Sequence, residues 1–312
     1  MKKVLLFPGI DALDDTSIRQ QCMHIPEVVT RIAEAQSVLN DINLPINLAH
    51  IMTEKSVDSF DWVVGLSLAA MATQVGIFDR YLNDGHQPDA LLSMSQGDLA
   101  RAVCAGVGSF KEVFMGLVLF AKGIKKIVGS GLTYQVTVEG LIADWEDQFK
   151  LEEFNITTSV YQTNHANLYS GSIKELKQWL LHLDTIPGLK YQSLSKIPVA
   201  LHHESLKPVA LSIQRHIQKN ISVKHQRFPI YSTVYNKYLV KEEELIEEMT
   251  LNIYGVVHFK QSIQTITKNE SIEFLNIGPA ATLLSFIKQI LPEDNTCKLK
   301  DYFNEIVVPL KN

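Results

Sequence analysis

The chain has 312 residues, 46% hydrophobic and 20% charged, which supports a large buried core and excludes a disordered chain. A net charge of -5 leaves no broad basic surface, so nucleic acid is not an expected partner. Cys22, Cys104 and Cys297 fit neither a zinc spacing nor a disulfide framework, which points to a reducing cytoplasm and to no metal or cofactor.

The N-terminus, MKKVLLFPGI, has too short an apolar stretch before Pro8-Gly9 for a signal peptide. Residues 4–7 read as a strand buried on both faces. Val28, Val29, Ile32, Ala33 and Val38 give residues 26–39 a helical period. Residues 62–80 read as a long helix. Its uncharged run is short for a membrane span and contains Ser67, Thr73 and Gln74, so it is expected inside the protein rather than in a membrane. Residues 90–92 read as a short central strand and 97–107 as a helix rich in small residues. Ser109 and Glu112 form an S-x-x-E capping box, which opens a helix ending in lysines that suit its dipole.

The pattern changes at Gly129-Ser130-Gly131. Residues 132–194 read as strand (LTYQVTV), helix (LIADWEDQF), two strands (ITTSVYQ and ANLYSG), helix (172–183) and strand (KYQSLS). This is the ferredoxin-like order βαββαβ, whose ends emerge on one side and allow insertion into a larger domain. The expectation is an α/β chain with an α/β-hydrolase-like large domain, built on a parallel central sheet, over 1–129 and 197–312. A ferredoxin-like small domain is inserted over 130–196. Beyond Pro198 come a helix over 206–219, a strand with a turn in RFPIYSTVY, and an acidic helix over 241–250. IEFLNIGPAATLLSFIKQIL closes the chain as strand, Gly-Pro turn and helix, with Pro279 near the first helical position.

LLSMSQGDLARAVCAG, residues 91–106, carries the chemistry. A serine hydroxyl attacks only when a base is at hand and its oxygen projects from the backbone. Ser93-Met94-Ser95-Gln96-Gly97 approximates the G-x-S-x-G bend between strand and helix, with Ser in place of the first Gly. The plain alternative is a helix N-cap. Three further stretches stand in order around it: FPGI at 7–10, PVALHHESLKP at 198–208 and FLNIGPAATLL at 274–284. Together these four resemble the malonyl-CoA:acyl carrier protein transacylase family, which includes the acyltransferase domains of fatty acid and polyketide synthases. The resemblance spans essentially the whole chain.

It implies an acyl-enzyme on Ser95, with His202 as base and His203 as the alternative. The imidazole would be oriented by the backbone carbonyl of Asn252, and the oxyanion would be held by the backbone N–H groups of Gln96 and Ile10. Gly278-Pro279 reads as a structural turn. The implied reaction is ping-pong transfer from a CoA or carrier-protein thioester to a phosphopantetheine thiol, with an acyl carrier protein as partner. Hydrolysis of the same thioester is the alternative, and a non-catalytic scaffold of the same fold is a second.

The departures from the family pattern bear on substrate. Ile10 replaces the loop Gln, Asp11 the next Gly, Met94 the His before the nucleophile, and Asp98 a Glu. Members that take malonyl groups carry an Arg on the helix after the bend, where the matching residue here is Phe120. Lys122 points to another face and is a poor substitute for a planar fork. A desolvated carboxylate lacking its partner is costly, so the pocket at Phe120 and Met94 is expected to favour a neutral acyl group. Lys207, Arg215, Lys219, Lys224 and Arg227 read either as a docking face for an acidic carrier or as a solvated helix surface.

Overall fold

The computed structural model describes residues 1–57, 59–128, 134–140, 148–193, 199–221, 223–268, 270–291 and 297–307. The first strand, β1 (Lys2–Phe7), has Val4, Leu5, Leu6 and Phe7 fully buried, as a strand covered on both faces requires. It lies inside a six-stranded sheet ordered β10 (Lys298–Asp301), β9 (Ile272–Asn276), β1, β2 (Ala90–Ser93), β7 (Ile230–Ser232) and β8 (Lys237–Tyr238). Every pairing in this sheet is parallel except β7 with β8. Parallel neighbours need crossovers, and helices on both faces supply them. The uncharged helix is Phe60–Asn83, started by the Ser59 side chain accepting the Trp62 N–H. It is buried over most of its length and packs against Pro26–Asp41, so it is a core helix of this fold.

A second sheet is antiparallel, ordered β4 (Thr157–Tyr161), β5 (Ala166–Gly171), β3 (Tyr134–Glu139) and β6 (Lys190–Ser193). This is the ferredoxin-like strand order. Its own core holds Val136, Val138, Phe149, Tyr169 and Trp179 under the helix Ile173–Leu183, which Ser172 and Glu175 cap reciprocally. Most of the helix expected between its first two strands (141–147), and both expected domain boundaries, lie outside the described residues. The small sheet is tied to the large one. Tyr161 N–H donates to the Val257 carbonyl at 2.9 Å, and Val257 N–H donates to Ser159 at 3.0 Å. The Gln135 side chain donates to the Leu201 carbonyl, and Asn164 to those of Gln289 and Ile290.

Some expectations shift. The closing helix is Thr282–Ile290, so Pro279 stands before it, in the turn that Asn276 braces by donating to the Gly278 carbonyl at 2.8 Å. The helix after the bend ends at Cys104, where Gly106 turns the chain with φ 79°. Of RFPIYSTVY only Ile230–Ser232 is strand. The strand β10 and the helices Thr16–Cys22, Leu48–Thr53, Phe259–Thr267 and Tyr302–Ile306 add to the expected elements.

Candidate active site

Ser95 stands between β2 and the helix Gly97–Cys104 with φ 57°. A non-glycine residue held there costs about 1–3 kcal/mol unless its surroundings impose the conformation. They do. Met94 N–H donates to the Phe7 carbonyl at 3.1 Å, and Asp98 N–H donates to the Ser95 carbonyl at 3.0 Å. A Cβ at Gly97 would lie 2.2 Å from the Phe7 carbonyl oxygen and 2.7 Å from that of Pro8, so only glycine lets the two loops meet. A Cβ at Gly278 would lie 2.2 Å from the Pro8 ring, and Gln74 donates to the Pro8 carbonyl at 3.0 Å. Three of the four stretches singled out in the sequence thus converge on Pro8.

The fourth stretch brings the imidazole. His202 Nε2 lies 2.8 Å from Ser95 Oγ, and His202 Nδ1 lies 2.5 Å from the Asn252 carbonyl oxygen. A carbonyl only accepts, so Nδ1 carries the proton and Nε2 is left to accept from the serine hydroxyl. His202 also has a positive φ of 55°, and its N–H donates to Ile253 at 3.0 Å. Burial lowers the His202 pKa to about 4, against the smaller opposing pull of the Asn252 carbonyl. A neutral imidazole in contact with a projecting hydroxyl can take its proton as that oxygen attacks. His203 faces elsewhere: its Nδ1 accepts the Ser205 N–H at 3.2 Å and caps the turn Glu204–Leu206. Gln96 precedes the helix behind Ser95, its side chain donating to the Ser67 carbonyl instead of capping the helix, and Ile10 opens the short turn Ile10–Leu13.

A cleft of about 940 Å³, counted to its open mouth, runs from Ser95 and His202. Phe120 lines it with Phe60, Val63, Leu117, Leu201 and Ile253, while Ser67, Gln96 and Asn252 supply its few polar groups. Among the described residues, no Asp, Glu, Lys or Arg lines it, and Lys122 is exposed elsewhere on its helix. Met94 corrects the expectation. Neighbouring side chains at a strand end point to opposite faces, and Met94 packs with Val4, Leu92 and Phe274 in the core instead of on the cleft.

A buried charge cluster lies under the bend. Arg101 lies 2.5 Å from Glu248 and 3.5 Å from Asp98, and it donates to the Tyr231 carbonyl at 2.9 Å. Ser93 Oγ donates to Asp98, whose carboxyl burial pushes up against the pull of Arg101. The only signal available was a charged residue at helical spacing on a face otherwise apolar. Lys207, Arg215, Lys219, Lys224 and Arg227 are all exposed on or just after the helix Lys207–Asn220, whose other face lines the cleft. Among the described residues, no group of His, Cys, Asp or Glu side chains is placed to hold a metal ion.

No protein-family model matches the chain. It is 20% identical over 307 residues to the malonyl CoA-acyl carrier protein transacylase of Bacillus subtilis, covering 96% of this chain and 94% of that one. It is 22% identical over 296 residues to an erythronolide synthase of Saccharopolyspora erythraea, covering 92% of this chain and 9% of the synthase. A probable polyketide synthase of Dictyostelium discoideum is 20% identical over 246 residues, or 76% of this chain and 8% of that protein. The chain thus spans less than a tenth of the synthases and nearly all of the transacylase. Among solved structures, the malonyl CoA-acyl carrier protein transacylase of Coxiella burnetii has a TM-score of 0.84 at 18% identity, over 97% of this chain and 94% of that one. A type II polyketide malonyl-transacylase, solved with its acyl carrier protein, has a TM-score of 0.83 at 19% identity, over 96% and 95%. The relatives and structural neighbours are therefore malonyl transacylases and synthase acyltransferases, and their fold is this fold.

Proposed function

We propose that the chain is a serine acyltransferase that moves a neutral acyl group from a CoA or carrier-protein thioester to the phosphopantetheine thiol of an acyl carrier protein. The observation that carries this reading is the 2.8 Å contact between Ser95 Oγ and His202 Nε2 at the head of an uncharged cleft. Acyl transfer is what the relatives are named for. A cytoplasmic setting suits the buried thiols of Cys22 and Cys104.

In the first half-reaction, Ser95 Oγ bonds to the thioester carbonyl carbon as its proton passes to His202 Nε2. The carbonyl electron pair moves onto oxygen, where the backbone N–H groups of Gln96 and Ile10 are the proposed donors. The C–S bond then breaks, the thiolate takes the proton from Nε2, and acyl-Ser95 remains. The imidazolium that forms in between keeps its Nδ1–H on the Asn252 carbonyl. In the second half-reaction a new thiol yields its proton to Nε2 and takes the acyl group by the reverse path. The exposed basic residues from Lys207 to Arg227 are the proposed landing face for an acidic carrier.

Preference for a neutral group follows from Phe120. A carboxylate carried into this cleft would lose its water and gain no cation. The test is to incubate the protein with malonyl-CoA, acetyl-CoA and butyryl-CoA and weigh it intact. Acetyl and butyryl adducts on Ser95, lost in Ser95→Ala, are expected. Phe120→Arg is expected to shift labelling toward malonyl by at least tenfold. No adduct with any thioester overturns the acyl-enzyme, and preferential malonyl labelling of the unaltered protein overturns the neutral-group claim.

A further inference from the structure

The cleft continues well past the reacting atoms, and its far part is shaped for one kind of occupant. Val113, Gly116, Leu117, Phe120 and Ile124 recur at three- and four-residue steps along the helix Phe110–Ile127, so one face of that helix forms a wall. Ile213 and Ile217 face it from the helix Lys207–Asn220, and Met249 adds to the lining from Glu242–Tyr254. From Phe120 to Val113 the wall runs about 10 Å at 1.5 Å per residue. That far stretch holds no polar side chain.

Two details set the shape. A Cβ placed on Gly116 would meet no atom within 4 Å, so this buried helix position opens onto space one turn beyond Phe120. Ile221 lines the Val113 end of the wall. A Cβ on Gly108 would sit 3.1 Å from its side chain. The chain after Ile221 is pinned there, with Lys224 N–H on the Val107 carbonyl at 3.0 Å and Arg227 N–H on the Ala105 carbonyl at 2.7 Å. The cleft is therefore an apolar channel lined from the Ser95–His202 pair to Val113 and Ile221.

We infer that this channel holds an unbranched alkyl chain of medium length, roughly eight carbons by the helix rise between Phe120 and Val113, so that the acyl group is a medium-chain fatty acyl. The inference rests on the acyl-Ser95 reading and narrows it. Polar-substituted acyl groups would leave their polar atoms unpaired against this apolar wall. Each methylene that enters the channel favours the bound acyl group by up to about fourfold, and Ile221 sets where the gain stops.

The experiment is the initial rate of Ser95 acylation, read by intact mass, with saturated straight-chain acyl-CoA thioesters from acetyl to dodecanoyl. The expected kcat/KM rises at least tenfold from acetyl to octanoyl and falls again at dodecanoyl. Gly116→Leu fills the open position with a helix-compatible side chain and is expected to lower the octanoyl-to-acetyl ratio at least tenfold. Its thermal melt and acetyl adduct report that it is folded, and Gly116→Ala, which meets no neighbour, is expected to give a smaller drop in the same ratio. If acetyl labels Ser95 but kcat/KM does not rise with chain length, or the ratio is unmoved in Gly116→Leu, the channel assignment is overturned and the acyl-enzyme stands. If no thioester labels Ser95, the parent reading itself has failed.

Discussion

Asn252 holds Ser95 and His202 with two different atoms: its side-chain Nδ2 donates to the Ser95 carbonyl at 2.8 Å, while its own carbonyl accepts the His202 Nδ1–H at 2.5 Å. Hydroxyl and imidazole are thus referenced to a single residue on the helix Glu242–Tyr254. In Asn252→Ala the backbone carbonyl stays and the side-chain bond is lost. A hydrogen bond of this kind is worth about 1 kcal/mol, so a small fall in melting temperature is expected. The acylation rate is expected to fall by at least tenfold, because a bend displaced by a fraction of an ångström loses its alignment with Nε2. Stopped-flow acylation set beside a thermal melt checks both.

The pH response follows from the burial of His202. With the folded pKa near 4, the imidazole is neutral across the physiological range. Acylation is expected to be flat from neutral pH down to about 5 and to fall below that as Nε2 becomes protonated. Stability follows the same group. The unfolded chain, with the ordinary value of 6.5, binds the proton first, so the folded state is favoured above 6.5 and loses that advantage as pH falls from 6.5 through 4. The loss amounts to roughly 3 kcal/mol. Urea denaturation from pH 7 to pH 4 measures it, and His202→Gln is expected to flatten the dependence.

Gly97→Ala is expected to be far more harmful than Gly116→Ala, although both alter a glycine within a helix. A methyl at 97 drives into the Phe7 and Pro8 carbonyls, whereas one at 116 meets nothing within 4 Å. Overpacking against backbone costs about 1–3 kcal/mol or more, and it would also splay the first loop from the bend. Guanidinium denaturation of the two variants gives the contrast directly, and equal midpoints would count against the convergence at Pro8.

Glu248→Ala strands the Arg101 guanidinium in a buried site with Asp98, 3.5 Å away, as its one remaining ionic partner among the described residues. Breaking a buried pair from one side costs about 3–5 kcal/mol. The paired change Arg101→Met with Glu248→Leu removes that ion pair and leaves Asp98, whose pKa burial already raises, to take a proton beside Ser93, so part of the loss is expected to be recovered. A double-mutant cycle in urea decides between the two outcomes.

The bend, the His202 stretch and the Gly-Pro turn were legible because each depends on residue types that backbone geometry restricts: glycine at 97, small neighbours, a proline at 8. The ferredoxin-like order was legible because its strands alternate and its second helix carries a capping box. The strand β10 was not, because KLKD on the sheet edge alternates without a strongly apolar face. Glu248 was not, because an acidic helix reads as solvated, and only the fold turns one of its carboxylates inward to Arg101. Its place beside Ser95 points Met94 to the pocket, and the pleat sends it to the opposite side of the sheet.

The small sheet grips the segment that carries the imidazole. Gln135 of β3 bonds the carbonyl immediately before His202, and β4 is stitched to Val257, five residues past Asn252. Removing the small sheet would therefore take away the bonds that flank the ring and the helix that aims it. The small sheet thus bears on where the imidazole sits, through Leu201 on one side and Val257 on the other.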